Sequence, residues 1–122
     1  MSRAALSLLV FGLYLAVLGT VLVIAPNLLL VLFRVPTTQE VWIRVVGVLL
    51  LILSYYDIQA ARSNVVPFLR WSVYARAPVV LFFASFVLAG LVQPTLILFG
   101  LIDLAGAVWT WLALKSETTR TT

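Results

Sequence analysis

One carboxylate, Asp103, lies near the middle of an apolar stretch that runs from Pro94 to Lys115. The stretch reads PTLILFGLIDLAGAVWTWLALK, and it is long enough and poor enough in charge to cross a bilayer as a helix. An ionisable group at bilayer depth costs free energy unless another group pairs with it. Asp103 is therefore a candidate for binding a proton, a cation or a lipid headgroup in a polar cavity.

Two arginines are placed to reach Asp103 from other predicted helices. Asp103 and Arg76 each lie roughly 13 Å along the axis from the predicted starts of their helices, and Arg44 roughly 9 Å. Arg76 is the preferred partner because Pro78 can bend its helix towards the site. The alternatives are a buried pair that only fixes helix register, or a carboxyl group that is simply protonated.

Further polar residues follow on the second and third predicted helices. Ser54 and Asp57 share one face of the second helix, and Asp57 lies at a depth compatible with Arg70 and Arg76. For Asp57 an ion pair at the membrane interface competes with a ligand-binding role. The predicted buried polar or ligand-site residues are Asp103, Arg76, Arg44, Asp57, Ser54, Tyr56 and Arg70.

The composition excludes several kinds of site. The chain has no His, no Cys and no Met beyond the first residue, so haem, zinc and iron–sulfur ligation by these side chains are excluded and the cofactor stays unknown. The four carboxylates are too scattered in sequence to predict a metal cage. No catalytic residue is predicted, because the serines have no activating partner in the pattern. No aromatic–basic motif predicts nucleic-acid binding.

The same composition predicts an all-α integral membrane protein. The chain is 64% hydrophobic and 10% charged, with a mean hydropathy of +1.18, whereas soluble domains are about 45–50% apolar and about 25% charged. Four spans are predicted, at about residues 4–25, 38–62, 67–91 and 94–115. The first is longer than the apolar region of a signal peptide, so it is predicted to be retained.

Local signals mark where these helices begin and end. Pro26 breaks the first helix, and residues 26–33 are too short to cross, so they are predicted to form an interfacial helix. Thr37 to Glu40 fits a capping box for the second helix, and Pro67 opens the third. With short loops, consecutive helices become antiparallel neighbours, which predicts a single domain over residues 1–122 built as an up-down-up-down transmembrane bundle.

Small residues predict which helix faces pack together. In membranes, helices associate through small side chains because these let the backbones approach closely. Gly12 and Ala16 form such a stripe on the first helix, and Gly100, Gly106 and Ala107 do so on the fourth, on the same face as Asp103. The opposite face of the fourth helix is aliphatic and is predicted to face acyl chains; it comprises Leu98, Leu101, Ala105, Val108 and Leu112.

Arginine and lysine placement predicts the orientation. Six basic residues fall on the side that holds both termini, and two fall on the other, Arg34 and Arg44. By the positive-inside rule, this distribution predicts a multi-pass protein of the cell inner membrane with cytoplasmic N- and C-termini.

Three stretches, WIRVVG at 42–47, PFLRWSVYAR at 67–76 and FGLIDLAGAVWT at 99–110, give the chain a family resemblance. It resembles small four-span bacterial integral membrane proteins of unknown function over nearly its whole length. The resemblance implies a fold and no activity.

The first functional hypothesis is a non-enzymatic accessory or scaffold subunit of a larger membrane assembly, or a binder of lipid or another apolar ligand. The alternative is a small proton-coupled transporter acting as an oligomer. Expected partners are membrane lipids and other membrane subunits or further copies of the chain.

Overall fold

The computed structural model describes residues 2–121, with side chains described for residues 2–117, and in this part of the chain it is all-helical. Within residues 2–121, six α-helices follow one another: α1 (Arg3–Ile24), α2 (Pro26–Leu32), α3 (Trp42–Arg62), α4 (Val66–Arg76), α5 (Val79–Leu88) and α6 (Leu96–Thr121). Four helical stretches are long and apolar enough to cross a membrane: Arg3–Ile24, Trp42–Arg62, Val66–Leu88 and Leu96–Glu117. The third of these comprises α4 and α5.

The helix α1 begins and ends on recognisable local chemistry. The Ser2 hydroxyl accepts a hydrogen bond of 3.1 Å from the Ala5 N–H, which satisfies one of the free donors of the first turn. Pro26 follows the last turn and starts α2, where its missing N–H costs no helical hydrogen bond. The short helix predicted at residues 26–33 is therefore present at Pro26–Leu32.

The helix α3 begins at Trp42, four residues later than the prediction of residue 38. Residues 35–40 are irregular instead of helical. The Thr38 hydroxyl accepts from the Glu40 N–H at 3.0 Å, and the Thr38 N–H donates to the side-chain oxygen of Asn27 at 2.9 Å. These bonds build a local turn that is tied to α2, and they compete with the predicted capping box.

The third predicted span is divided in two by Pro78. The helix α4 ends at Arg76, and α5 resumes at Val79 because proline cannot donate the hydrogen bond that would continue the helix. The helix α5 ends at Leu88, before the predicted residue 91. Gly90 adopts a φ of +75° there, and the Leu91 N–H reaches the Phe86 carbonyl at 2.9 Å, which is the Schellman type of helix end.

Two helices, α1 and α6, occupy the centre of the molecule. The helix α1 packs against α3 on one side and against α6 on the other, and α6 also packs against α4 and α5. In contrast, α3 makes little contact with α4. The bundle is thus open along one side, between α3 and the α4–α5 pair.

The contact between α1 and α3 depends on two glycines. A Cβ atom built on Gly19 or on Gly47 would lie 2.8 Å from the carbonyl oxygen of the other, so neither position has room for a side chain. About two turns earlier in α1, a Cβ on Gly12 would lie 2.9 Å from Ile58 and 3.3 Å from Asp57. Ala16, which the sequence places in the same stripe, is half-buried.

The helix α6 has one buried and one exposed face. Gly100, Ala107 and Thr110 are buried, and a Cβ on Gly100 would lie 2.9 Å from the Cα of Val80 on α5. The aliphatic residues of the opposite face are exposed: Leu98, Leu101, Ala105, Val108 and Leu112. Small residues therefore lie at the helix contacts, and large apolar ones cover the outside.

Candidate functional site

Arg76 is the central residue of the candidate site. It is the last residue of α4, just before the break at Pro78, and only 7% of it is exposed. Its Nε donates to the Ser72 carbonyl at 3.2 Å, and its Nη2 donates to the Ser72 hydroxyl at 3.2 Å and to the Thr110 hydroxyl at 2.8 Å. A buried guanidinium needs such acceptors because it has left water without losing its charge.

The hydrogen bonds continue from Thr110 to α1. The Ser7 and Thr110 hydroxyl oxygens lie 2.6 Å apart, and Ser7 donates to the Ala4 carbonyl at 2.7 Å. Ser7, Ser72 and Thr110 are all buried. This network joins α1, α4 and α6, and it is absent from the site predicted from the sequence. The available signals were that Ser72 precedes Arg76 by one helical turn and that Thr110 shares a face with Asp103.

The remaining guanidinium nitrogen is enclosed. Nη1 of Arg76 is buried and has no hydrogen-bond partner among the described residues. The guanidinium carbon lies 4.6 Å from the centre of the Phe11 ring, so the cation also rests on an aromatic face. A Cβ on Gly106 would lie 3.0 Å from Nη1, which shows how closely α6 covers this atom.

Two carboxylates face the same space as Arg76. Asp57 from α3 and Asp103 from α6 line one cavity with Arg76, and both interact electrostatically with its guanidinium. Asp57 is buried and Asp103 half-buried. Within residues 2–117, no protein group donates a hydrogen bond to either carboxylate. Two acceptors with formal negative charge are therefore available beside one cation.

A groove surrounds these charges on the open side of the bundle. Its first cavity, of about 300 Å³, is lined by residues of α1, α3, α4 and α6 and by Val79 of α5. A second cavity of about 230 Å³ continues towards α2 and α5, and it shares Leu15, Leu50 and Asp103 with the first. We call these two cavities together the groove. Its other lining side chains are mainly apolar and include Leu53, Phe68, Trp71, Ala75, Leu18, Leu22, Leu29 and Phe83.

Four predicted site residues lie outside the groove. Arg44 is exposed, and its guanidinium donates to the Val23 carbonyl of α1, so it does not pair with Asp103. Arg70 and Tyr56 are exposed on the outer surfaces of α4 and α3. Ser54 is buried on α3 but does not line the groove. For Arg44 and Arg70 the predicted depth along the helix was compatible with the site, but the direction of the side chain was not.

Of the predicted site residues, the structure brings together Asp57, Arg76 and Asp103. Among the residues that the structure describes, no three His, Cys, Asp or Glu side chains form a group that could hold a metal ion. The arrangement can bind a molecule that has an apolar body and a polar group. Comparisons with protein-family models, with curated proteins and with solved structures find no match to this chain.

Proposed function

We propose that the chain inserts into the cell inner membrane as an up-down-up-down bundle with both termini in the cytoplasm. The exposure of large apolar side chains supports insertion: Leu88 is 88% exposed and Ile24 71% exposed, and such surfaces are unusual on soluble monomers. The contacts of Gly12 with Asp57 and of Gly19 with Gly47 support antiparallel neighbours, because the partner's number falls as that of α1 rises.

We further propose that this protein is not an enzyme and that it binds a lipid-like amphiphile in the groove. The observation that carries the proposal is the composition of the groove: apolar side chains from α1 to α6 surround a polar centre, made of Asp57, Arg76 and Asp103. Sites for small molecules are commonly apolar with a few polar groups that fix orientation. Such binding suits an accessory or scaffold subunit that holds a lipid within a larger membrane assembly.

Native mass spectrometry after extraction in a mild nonionic detergent tests this proposal. We expect one amphiphile to remain bound to the unmodified chain. Leu53→Trp should displace it, because Leu53 lines the groove and indole is larger than the leucine side chain. Leu49→Trp is the matched control, since Leu49 is exposed on the same helix and does not line the groove. Equal retention by both variants would contradict binding in the groove.

A second function, proton-coupled transport by an oligomer, is favoured by one observation. Asp103 lines both cavities of the groove, so a group bound to this carboxylate has access to either end. If Asp103 is the coupling residue of a transporter, the Asp103→Asn variant should still fold but should lose proton-driven uptake in vesicles. Unchanged pH-gradient-driven fluxes in that variant, or none in the unmodified chain, would exclude Asp103 as a coupling residue.

A further inference from the structure

We infer that the amphiphile in the groove is a lipophilic monocation, with an ammonium group bound between Asp57 and Asp103 and an apolar tail along the second cavity. This inference rests on the proposed function and adds the charge of the ligand. It follows from three features of the groove, namely the balance of formal charges, the enclosure of Arg76 and the aromatic side chains in the wall.

The balance of charges favours a cation. The groove is lined by two carboxylates and one guanidinium, so its formal charge is one negative unit when both carboxylates are ionised. A bound monocation brings this sum to zero, whereas a bound anion brings it to two negative units. Uncompensated charge away from water is strongly unfavourable, so the groove discriminates between the two.

Arg76 lines the first cavity, but its guanidinium nitrogens are not available to an anionic ligand. Its Nε and Nη2 already donate to Ser72 and Thr110, and its Nη1 is buried beneath Phe11 and Gly106. The carboxylates differ, because no described residue donates a hydrogen bond to Asp57 or Asp103. An ammonium group has three donors and no acceptor, which matches two carboxylates that receive no hydrogen bond from the described residues.

The walls suit a cation with a tail. Trp71 and Phe68 line the same cavity as Asp57, and aromatic faces attract ammonium groups. Asp103 stands where the first cavity meets the second, and the second is lined by leucines of α1 and α2 such as Leu18 and Leu29. A head group at the carboxylates therefore leaves the tail in apolar surroundings.

Three ligands with one tail test the inference: dodecylammonium, dodecanol and dodecanoate. Their affinities for the full chain in nonionic micelles are measured by isothermal titration calorimetry, with empty micelles as the blank. We expect dodecylammonium to bind about tenfold or more tightly than dodecanol, and dodecanoate to bind most weakly. Asp57→Asn combined with Asp103→Asn should remove the preference for the ammonium and leave the affinity for dodecanol within about twofold.

Glu40→Gln is the matched control, because it removes a carboxylate from the irregular segment outside the groove and should leave all three affinities unchanged. Equal affinities for dodecylammonium and dodecanol, or tighter binding of dodecanoate, would overturn the inference and leave the proposed function standing. Binding of none of the three above the micelle blank would overturn both. These comparisons use the unmodified chain, so they decide the question even if the double variant does not fold.

Discussion

The Nη2 atom of Arg76 donates a hydrogen bond of 2.8 Å to the Thr110 hydroxyl, and both residues are buried. This bond joins the end of α4 to the middle of α6. It holds the guanidinium against α6 and Phe11, while the carboxylates of Asp57 and Asp103 stay open to the groove. The hydrogen bonds that hold the buried cation thus go to the oxygens of Ser72 and Thr110, and none goes to a carboxylate.

Thr110→Val should therefore destabilise the protein by about 1–3 kcal/mol, because the substitution keeps the shape but removes the oxygen shared by Arg76 and Ser7. The free energy of unfolding is measured by titration with sodium dodecyl sulfate in mixed micelles. Thr20→Val is the control, since Thr20 is exposed and bonds only to the Ala16 carbonyl of its own helix. We expect it to stay within about 0.5 kcal/mol. Equal effects of the two substitutions would contradict the role of Thr110.

Gly47→Ala should also destabilise the bundle, by about 1–3 kcal/mol, although it adds a single methyl group. The new Cβ would lie 2.8 Å from the Gly19 carbonyl oxygen, and backbone cannot move aside as a flexible side chain can. Val48→Leu, one residue further on the exposed face, adds a methylene and should have little effect. The same unfolding titration compares them, and a larger effect of Val48→Leu would mean that α3 is turned the other way.

The proposed orientation predicts the results of reporter fusions. Arg76 is buried in the bundle, so it no longer counts towards the flanking charge, and the predicted cytoplasmic side retains Arg3, Arg62, Arg70, Lys115 and Arg120 against Arg34 and Arg44. The excess of arginine and lysine therefore stays on the predicted cytoplasmic side. A fluorescent reporter after Thr122 should be active, and a periplasmic phosphatase inserted within residues 35–39 should be active. The reverse result, or activity of both reporters at both sites, would refute this orientation.

The sequence predicted the helical fold well because hydrophobic length and proline placement are local properties. The break at Pro78 and the end of α1 before Pro26 follow from the missing proline N–H. The late start of α3 could not be predicted in this way. It depends on a hydrogen bond between Thr38 and Asn27, eleven residues apart, which forms only when the segment after α2 folds back.

The site was harder to predict because depth along a helix does not give the direction of a side chain. Arg44 and Arg76 were both predicted to reach Asp103, yet Arg44 bonds to the Val23 carbonyl and Arg76 turns inwards. The hydroxyl of Ser7 gave no separate signal and that of Thr110 only a shared face with Asp103, since serine and threonine are common in helices that pack closely. Their role depends on the contact between α1 and α6, which is a tertiary property.

The last prediction concerns the coupling between Arg76 and Asp103. Arg76→Gln leaves Asp57 and Asp103 in an apolar groove without their cation, and such a loss typically costs about 3–5 kcal/mol. Asp103→Asn in the same chain removes one of the two uncompensated charges, so the double variant should recover part of this loss. A double-mutant cycle on the free energy of unfolding should give a coupling of about 0.5–3 kcal/mol.

The control cycle combines Arg76→Gln with Glu40→Gln, which removes a carboxylate outside the groove and should be additive within about 0.3–0.5 kcal/mol. If the effects of the Arg76 and Asp103 substitutions add as closely as those of the control cycle, the two groups do not interact. Arg76 would then be held by Ser72 and Thr110 alone. If the cycle with Asp57→Asn gives the larger coupling, the cation pairs with α3 across the open side of the bundle. The charge on that side would then link the two walls of the groove.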